Sequence, residues 1–335
     1  MIDGIRLWAP ASLSTREWEE VHSKSKNLRI ARNEGGVAIY GSFAVFVHGE
    51  AITAPTLAEC EVGMETLGEL LHVNPSAIRT NGLEFGPNIV LENRIAHYLH
   101  AFGERPGTAF GMWTEKGVRT LQYGDSGTSV RLFKFYDKLA KEKKELAKLQ
   151  SQINKLRYLR QDAKLALAIQ RAGILKAAII NSKTEHILRP EIVLKKRLMQ
   201  QVRQLPGFSK FKGDFIPASM LCDPDFLHAL SALWLKEYFR IPKRKDFLTR
   251  SNGKPFQIHG VKDYLILTAA ESLGKRRVDD EYKRIDSFEV NRETRKRLRR
   301  RARELASMDI ITGPSPFIEE LDRKVQEAAV AALSS

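Results

Sequence analysis

Tyr136 and Lys138 stand two residues apart in VRLFKFYDKLAKE, residues 130–142, where an apolar-rich strand pattern ends and a charged helical pattern begins. A phenol with an ordinary pKa near 10 is a weak nucleophile at neutral pH. Attack on a phosphate therefore needs the phosphate polarised and positioned in line. An ammonium nearby can stabilise charge building on phosphoryl oxygens, and a divalent cation can polarise the phosphate. The plainer reading of the same residues is structural: tyrosines close strands with the ring buried and the hydroxyl wet, and a lysine opening a charged helix is usually solvated.

Two carboxylates stand in comparable places. Glu84, in LEFG, interrupts an otherwise apolar run, and Glu191, in RPEIV, does the same in a later strand. An unpaired buried carboxylate is costly, so each is expected to meet a cation. That cation is either Mg²⁺ or Mn²⁺, which prefer carboxylate oxygens, or an arginine such as Arg79 or Arg189. His48, in VHGE, is a third candidate for a metal or a phosphate, although a lone histidine after a buried strand is more often structural. Asn88 follows Gly86-Pro87 and reads equally well as a turn residue.

Positioning these groups falls to a mixed set of elements. Residues 36–47, GVAIYGSFAVFV, are rich in β-branched and aromatic types and suggest two short strands or one bulged strand at Gly41. Leu57, Val62, Met64, Leu67 and Leu70 recur at helical spacing over residues 56–71, ahead of Asn74-Pro75. A strand is expected over 78–85 and a helix over 94–102. Residues 118–123 and 129–136 flank a Gly-Asp-Ser-Gly-Thr turn and read as a β-hairpin whose second strand Tyr136 closes. From 137 to about 182 the pattern is helical, as one long helix or a hairpin of two, with Gly173 the only interior breaker. Residues 186–194, HILRPEIVL, read as a last strand, and 204–217 have the composition of a linker. The parse is α+β: a domain over 1–205 with a helical insertion at about 138–182, then a helical, basic domain over 206–335.

Composition sets the class of partner. The 335 residues carry 55 Lys+Arg against 40 Asp+Glu, a net charge of +15, and a sequence pI near 9.7, which points to a polyanion such as nucleic acid. Residues 291–304, NRETRKRLRRRARE, concentrate that charge. In a helix Arg295, Arg299 and Arg303 stack at four-residue spacing, with Arg292 beside them and Lys275 and Arg276 extending the basic region upstream. Acids are too few there to balance the arginines, so phosphate contact is expected. Residues 256–311 read as a small helical module, with a helix-turn-helix one possibility. The two cysteines, Cys60 and Cys222, support neither a disulfide framework nor a paired-cysteine zinc site, and a reducing cytoplasm fits best. No apolar run approaches the roughly 18 residues of a membrane span, and the amino terminus lacks a secretory pattern. Phosphate-binding-loop, dinucleotide and serine-hydrolase motifs are missing, so no ATP-driven motor is expected.

Read in order, HVNPSAIRTNGLEFGPNIVL, TLQYGDSGTSVRLFKFYDKL and ILRPEIVLKK resemble the replication initiators of filamentous phages, the gene II protein class, and related rolling-circle plasmid proteins. MIDGIRLWAP, AVFVHGEAIT and VNRETRKRLRRRARELASMDI are similar to the same family, so the resemblance spans nearly the whole chain. It rests on the succession of short motifs more than on any single one. The family implies an HUH-like fold, a central antiparallel sheet with flanking helices, that nicks one origin strand and retains the new 5′ end on tyrosine. Its nucleophile falls on Tyr136, its accompanying lysine on Lys138 and its strand acid on Glu84. Its usual histidine-hydrophobic-histidine pair has no counterpart at His48 or His72. Mg²⁺ or Mn²⁺, double- and single-stranded origin DNA, a separate host helicase and polymerase, a possible homo-oligomer on DNA and a cytoplasmic setting complete what the resemblance implies. The alternative is a noncatalytic origin-binding or regulatory protein that keeps the fold without the chemistry.

Overall fold

The computed structural model describes residues 2–25, 28–33, 35–103, 108–115, 118–124, 131–195, 197–243, 245–249, 296–297, 300–301 and 310–334. Within them the chain is α+β, built on an antiparallel sheet of ten strands. Its first part runs β1 (Ile2–Ala9), α1 (Thr15–Lys24), β2 (Arg29–Asn33), β3 (Gly36–Ser42), α2 (Phe43–His48), α3 (Leu57–Leu71), β4 (Arg79–Phe85), β5 (Ile89–Val90) and α4 (Ile95–His100). Then come β6 (Phe110–Glu115), β7 (Val118–Tyr123), β8 (Arg131–Asp137), α5 (Lys138–Tyr158), α6 (Asp162–Asn181), β9 (Ile187–Leu194), α7 (Leu198–Val202), β10 (Ile216–Pro217) and α8 (Pro224–Phe239). The strand order is β2-β3-β1-β4-β9-β8-β7-β6, with β5 pairing β9 and β10 pairing β4. The expected hairpin is present: β7 and β8 pair antiparallel, with Thr120 opposite Tyr136.

Local chemistry explains where the structure departs from expectation. Residues 43–48 are helix, not a second strand, because the Ser42 hydroxyl caps the turn by accepting from the Val45 N–H. Such short apolar runs carry no period that separates strand from buried helix. The charged helical segment is a hairpin, but it breaks between Tyr158 and Asp162, where Arg160 takes a positive φ of 51°. Gly173 lies inside α6. The two helices share a small core of Leu149, Ile153 and Leu156 against Ala168, Ala172 and Leu175, separate from the main one.

The chain divides into two units, one of residues 1–242 with 317–335 and the other of 243–316. The expected boundary at 205 therefore falls inside the larger unit. The reason is α8: Phe226, Trp234 and Tyr238 are buried in the main core, and the Trp234 Nε1–H donates to the Pro190 carbonyl of β9 at 2.9 Å. A carboxyl-terminal helix, α9 (Pro316–Ser334), likewise buries Ile318, Leu321 and Val325 in that core. In the smaller unit, β11 (Lys245–Thr249) pairs antiparallel with β12 (Ile310–Pro314). Most of the expected helical module at 256–311 lies outside the described residues. So do Lys275, Arg276, Arg292, Arg295, Arg299 and Arg303. Among the described residues no helix is long and apolar enough to cross a membrane.

Candidate active site

Strand alternation sorts β8 and β9 into two faces. Phe133 and Phe135 of β8, with Leu188, Ile192 and Leu194 of β9, belong to the main apolar core. The alternate residues, Lys134 and Tyr136 opposite Glu191 and Arg189, share the other face, and Glu84 of β4 stands there opposite Val193. That face carries a buried ionic network where a sheet face of this kind would otherwise be apolar.

Asp3 enters the network through a β-bulge. Ile2 pairs with Phe85 and Ile5 with Leu83, so Asp3 and Gly4 together oppose the single residue Glu84. Glycine leaves room there for the acid, since a Cβ at position 4 would lie 2.5 Å from Glu84 Oε2 unless that side chain moved. The Ser42 hydroxyl donates to Asp3 Oδ1, while Lys138 Nζ and Arg189 Nη2 approach Asp3 Oδ2 at 3.5 and 3.6 Å. Burial alone would raise the Asp3 carboxyl, but Lys138, Arg189 and the Ser42 hydroxyl hold it well below the usual carboxylate range.

Arg189 joins both halves of the site. Its Nε lies 3.4 Å from Glu191 Oε2, and its Nη1 donates to Asn88 Oδ1 at 3.0 Å. Asn88 Nδ2 in turn donates to the Ile52 carbonyl at 2.6 Å. Asn88 is thus more than a turn residue: it fixes the guanidinium that fixes the acids. Of the two arginines considered for the acids, Arg189 takes Glu191, whereas Arg79 lies over the rings of Trp8 and Phe215.

Tyr136 is 3% exposed, and its hydroxyl donates to Glu191 Oε2 at 2.9 Å. Burial first, and then the Glu191 charge, push the phenol well above its ordinary value of 10. Ionisation of Tyr136 therefore demands that its proton be taken locally and that a cation face the oxygen. Burial, followed by repulsion from Glu191, likewise pushes the Glu84 carboxyl up to about 7, with Lys134 and Lys141 acting in the opposite sense. The Glu84 carboxyl, repelled by Glu191 at low exposure, is the part of this site best suited to a divalent cation. Among the described residues no three His, Cys, Asp or Glu side chains form a group able to hold a metal ion.

His48 is not brought to these acids. It ends α2, with Nε2 3.6 Å from Glu59 Oε2, and lines a cavity of about 250 Å³ against α5 and α6. Lys138 does reach the network, but as a buried strut: it is 1% exposed, and its ammonium pairs with Glu142 at 2.9 Å as well as with Asp3. The sequence pattern assigns no role to Asp3 or Lys141. An acid-glycine pair inside the apolar first strand is the one available signal for Asp3, and no local spacing marks Lys141, which stands five residues from Tyr136 across a strand-helix junction. No protein-family model matches the chain, and neither does any curated protein.

Proposed function

We propose that this chain is a metal-dependent endonuclease and strand transferase that nicks one DNA strand through a covalent 5′-phosphotyrosine, starting rolling-circle replication and later rejoining the ends. The observation that carries the reading is the Tyr136 hydroxyl bonded to the Glu191 carboxylate. A nucleophile of high pKa is paired there with an acceptor for its proton. In the nicking step the Tyr136 oxygen bonds to phosphorus, the P–O3′ bond breaks, and the phenol proton passes to Glu191. The strand keeps its 3′ hydroxyl, and the phosphotyrosine retains the energy of the broken diester. Rejoining then needs no ATP.

Glu84 is the side chain that fits a Mg²⁺ or Mn²⁺ ion, since Glu191 is engaged by Tyr136 and Arg189, with water and DNA phosphate filling the remaining positions as is usual for these ions. Bound there, the ion would offset the phosphate's charge. The net charge of +15 and the gene II-like succession of motifs support DNA as the substrate.

The closed ion network favours a second reading. Tyr136, Glu191, Arg189, Asp3 and Lys138 pair with one another, as they would in a noncatalytic origin-binding protein. Supercoiled circles carrying the DNA that flanks this chain's own coding sequence, incubated with the protein and Mg²⁺, separate the two. The enzyme reading expects nicked circles from the parent, and expects Tyr136→Phe to bind the DNA without nicking it. Binding without nicking by the parent protein selects the second reading.

A further inference from the structure

The lysine that faces the reactive oxygen is not the one nearest it in sequence. Asp137 caps α5 by accepting from the Ala140 N–H at 2.8 Å, so the helix begins directly after the strand that carries Tyr136. Side chains on a helix lean toward its amino terminus. Lys141, one turn in, therefore folds back over the strand end. Its Nζ lies 3.4 Å from the Tyr136 hydroxyl and 4.4 Å from the centre of the ring. Lys138 points elsewhere, its ammonium enclosed by Asp3 and Glu142.

We infer that Lys141, not Lys138, is the catalytic cation for Tyr136, stabilising the phenolate as its proton moves to Glu191. The inference rests on Tyr136 being the nucleophile. The Tyr136 oxygen then sits between a proton acceptor at 2.9 Å and an ammonium at 3.4 Å. This arrangement lets negative charge develop on an oxygen whose burial otherwise opposes it. The O–P bond forms, the P–O3′ bond breaks, Glu191 takes the phenol proton, the departing O3′ draws a proton from solvent, and Lys141 keeps its own.

The balance makes the inference separable from a role as acid for the leaving group. A bridging 3′-sulfur in place of O3′ departs as a thiolate and needs no proton. Covalent adduct formation is measured for the parent, Lys141→Met and Lys141→Arg on oxygen- and 3′-sulfur-bridged DNA, with thermal melting alongside. Lys141→Met keeps the aliphatic stem over the ring and is expected to slow adduct formation about 100-fold on both substrates. Lys141→Arg is expected to recover to within about tenfold of the parent, by the same charge argument. A Lys141→Met rate close to the parent's, a defect confined to the oxygen substrate, or a loss of rate that only follows a loss of melting temperature overturns the inference. If the parent forms no adduct, or Tyr136→Phe still forms one, the nucleophile assignment itself fails and Lys141 falls with it.

Discussion

The two faces of the β8–β9 pair obey one geometry and opposite chemistries. On one, Phe135 is fully buried and its ring packs within 4.3 Å of Phe102 and 5.0 Å of Phe133, measured between centres. On the other, one residue along each strand, Tyr136, Lys134, Arg189 and Glu191 replace that apolar surface. The apolar face gains its stability from area removed from water and is indifferent to pH. The ionic face offsets desolvation by mutual pairing, which is seldom a net stabiliser compared with well-packed apolar groups. The proposed nicking chemistry gives that face a role that packing does not.

Substitutions break the contrast in order of size. Phe135→Ala should cost about 3–5 kcal/mol, the range for a buried aromatic cut to alanine, with the same urea midpoint shift at every pH. Arg189→Met strands Asp3 and Glu191 without their shared guanidinium and should cost on the order of 3 kcal/mol at pH 7. Its cost should shrink at acid pH, where the abandoned carboxylates protonate. Equal costs at pH 4 and pH 8 would show that the network is not electrostatic.

Glu84→Gln should act in the other direction. The folded carboxyl titrates near 7 against an ordinary 4.5, so between those values the folded state holds the extra proton, and parent stability falls as pH rises through that window. The glutamine variant should match the parent near pH 4 and exceed it at pH 8 by on the order of 2 kcal/mol. Asp3 has the opposite sign: its depressed carboxyl contributes stability above its unfolded value, lost as pH falls. The smallest effect belongs to Gly4→Ala, about 1 kcal/mol, since the Glu84 side chain that meets the new methyl can swing aside. Because the swing moves Glu84 from Glu191, the pH dependence of stability should flatten even though the total changes little.

The apolar face was far more legible in the sequence than the ionic one. β8 and β9 followed from β-branched and aromatic runs, and α3 from its apolar spacing, since each element records its own burial pattern. Glu84, Tyr136 and Glu191 stood out because polar residues in apolar runs are conspicuous. What joins them was not visible, because the partners are remote: Lys138 meets Asp3 across 135 positions and Arg189 meets Asn88 across 101. The bulge that admits Asp3 depends on pairing between β1 and β4, which no local pattern encodes. Likewise the hairpin break at Arg160 uses a non-glycine residue at positive φ, where a glycine is the usual sign.

Attack of the Tyr136 oxygen on DNA is read out by digesting the product of protein, supercoiled DNA and Mg²⁺ with protease and nuclease and sequencing the nucleotide-bearing peptide by mass spectrometry. A 5′-phosphonucleotide is expected on Tyr136, in the peptide carrying LFKFYDK, and is expected to disappear in Tyr136→Phe. An adduct on another residue, or nicking with no adduct anywhere, would contradict it.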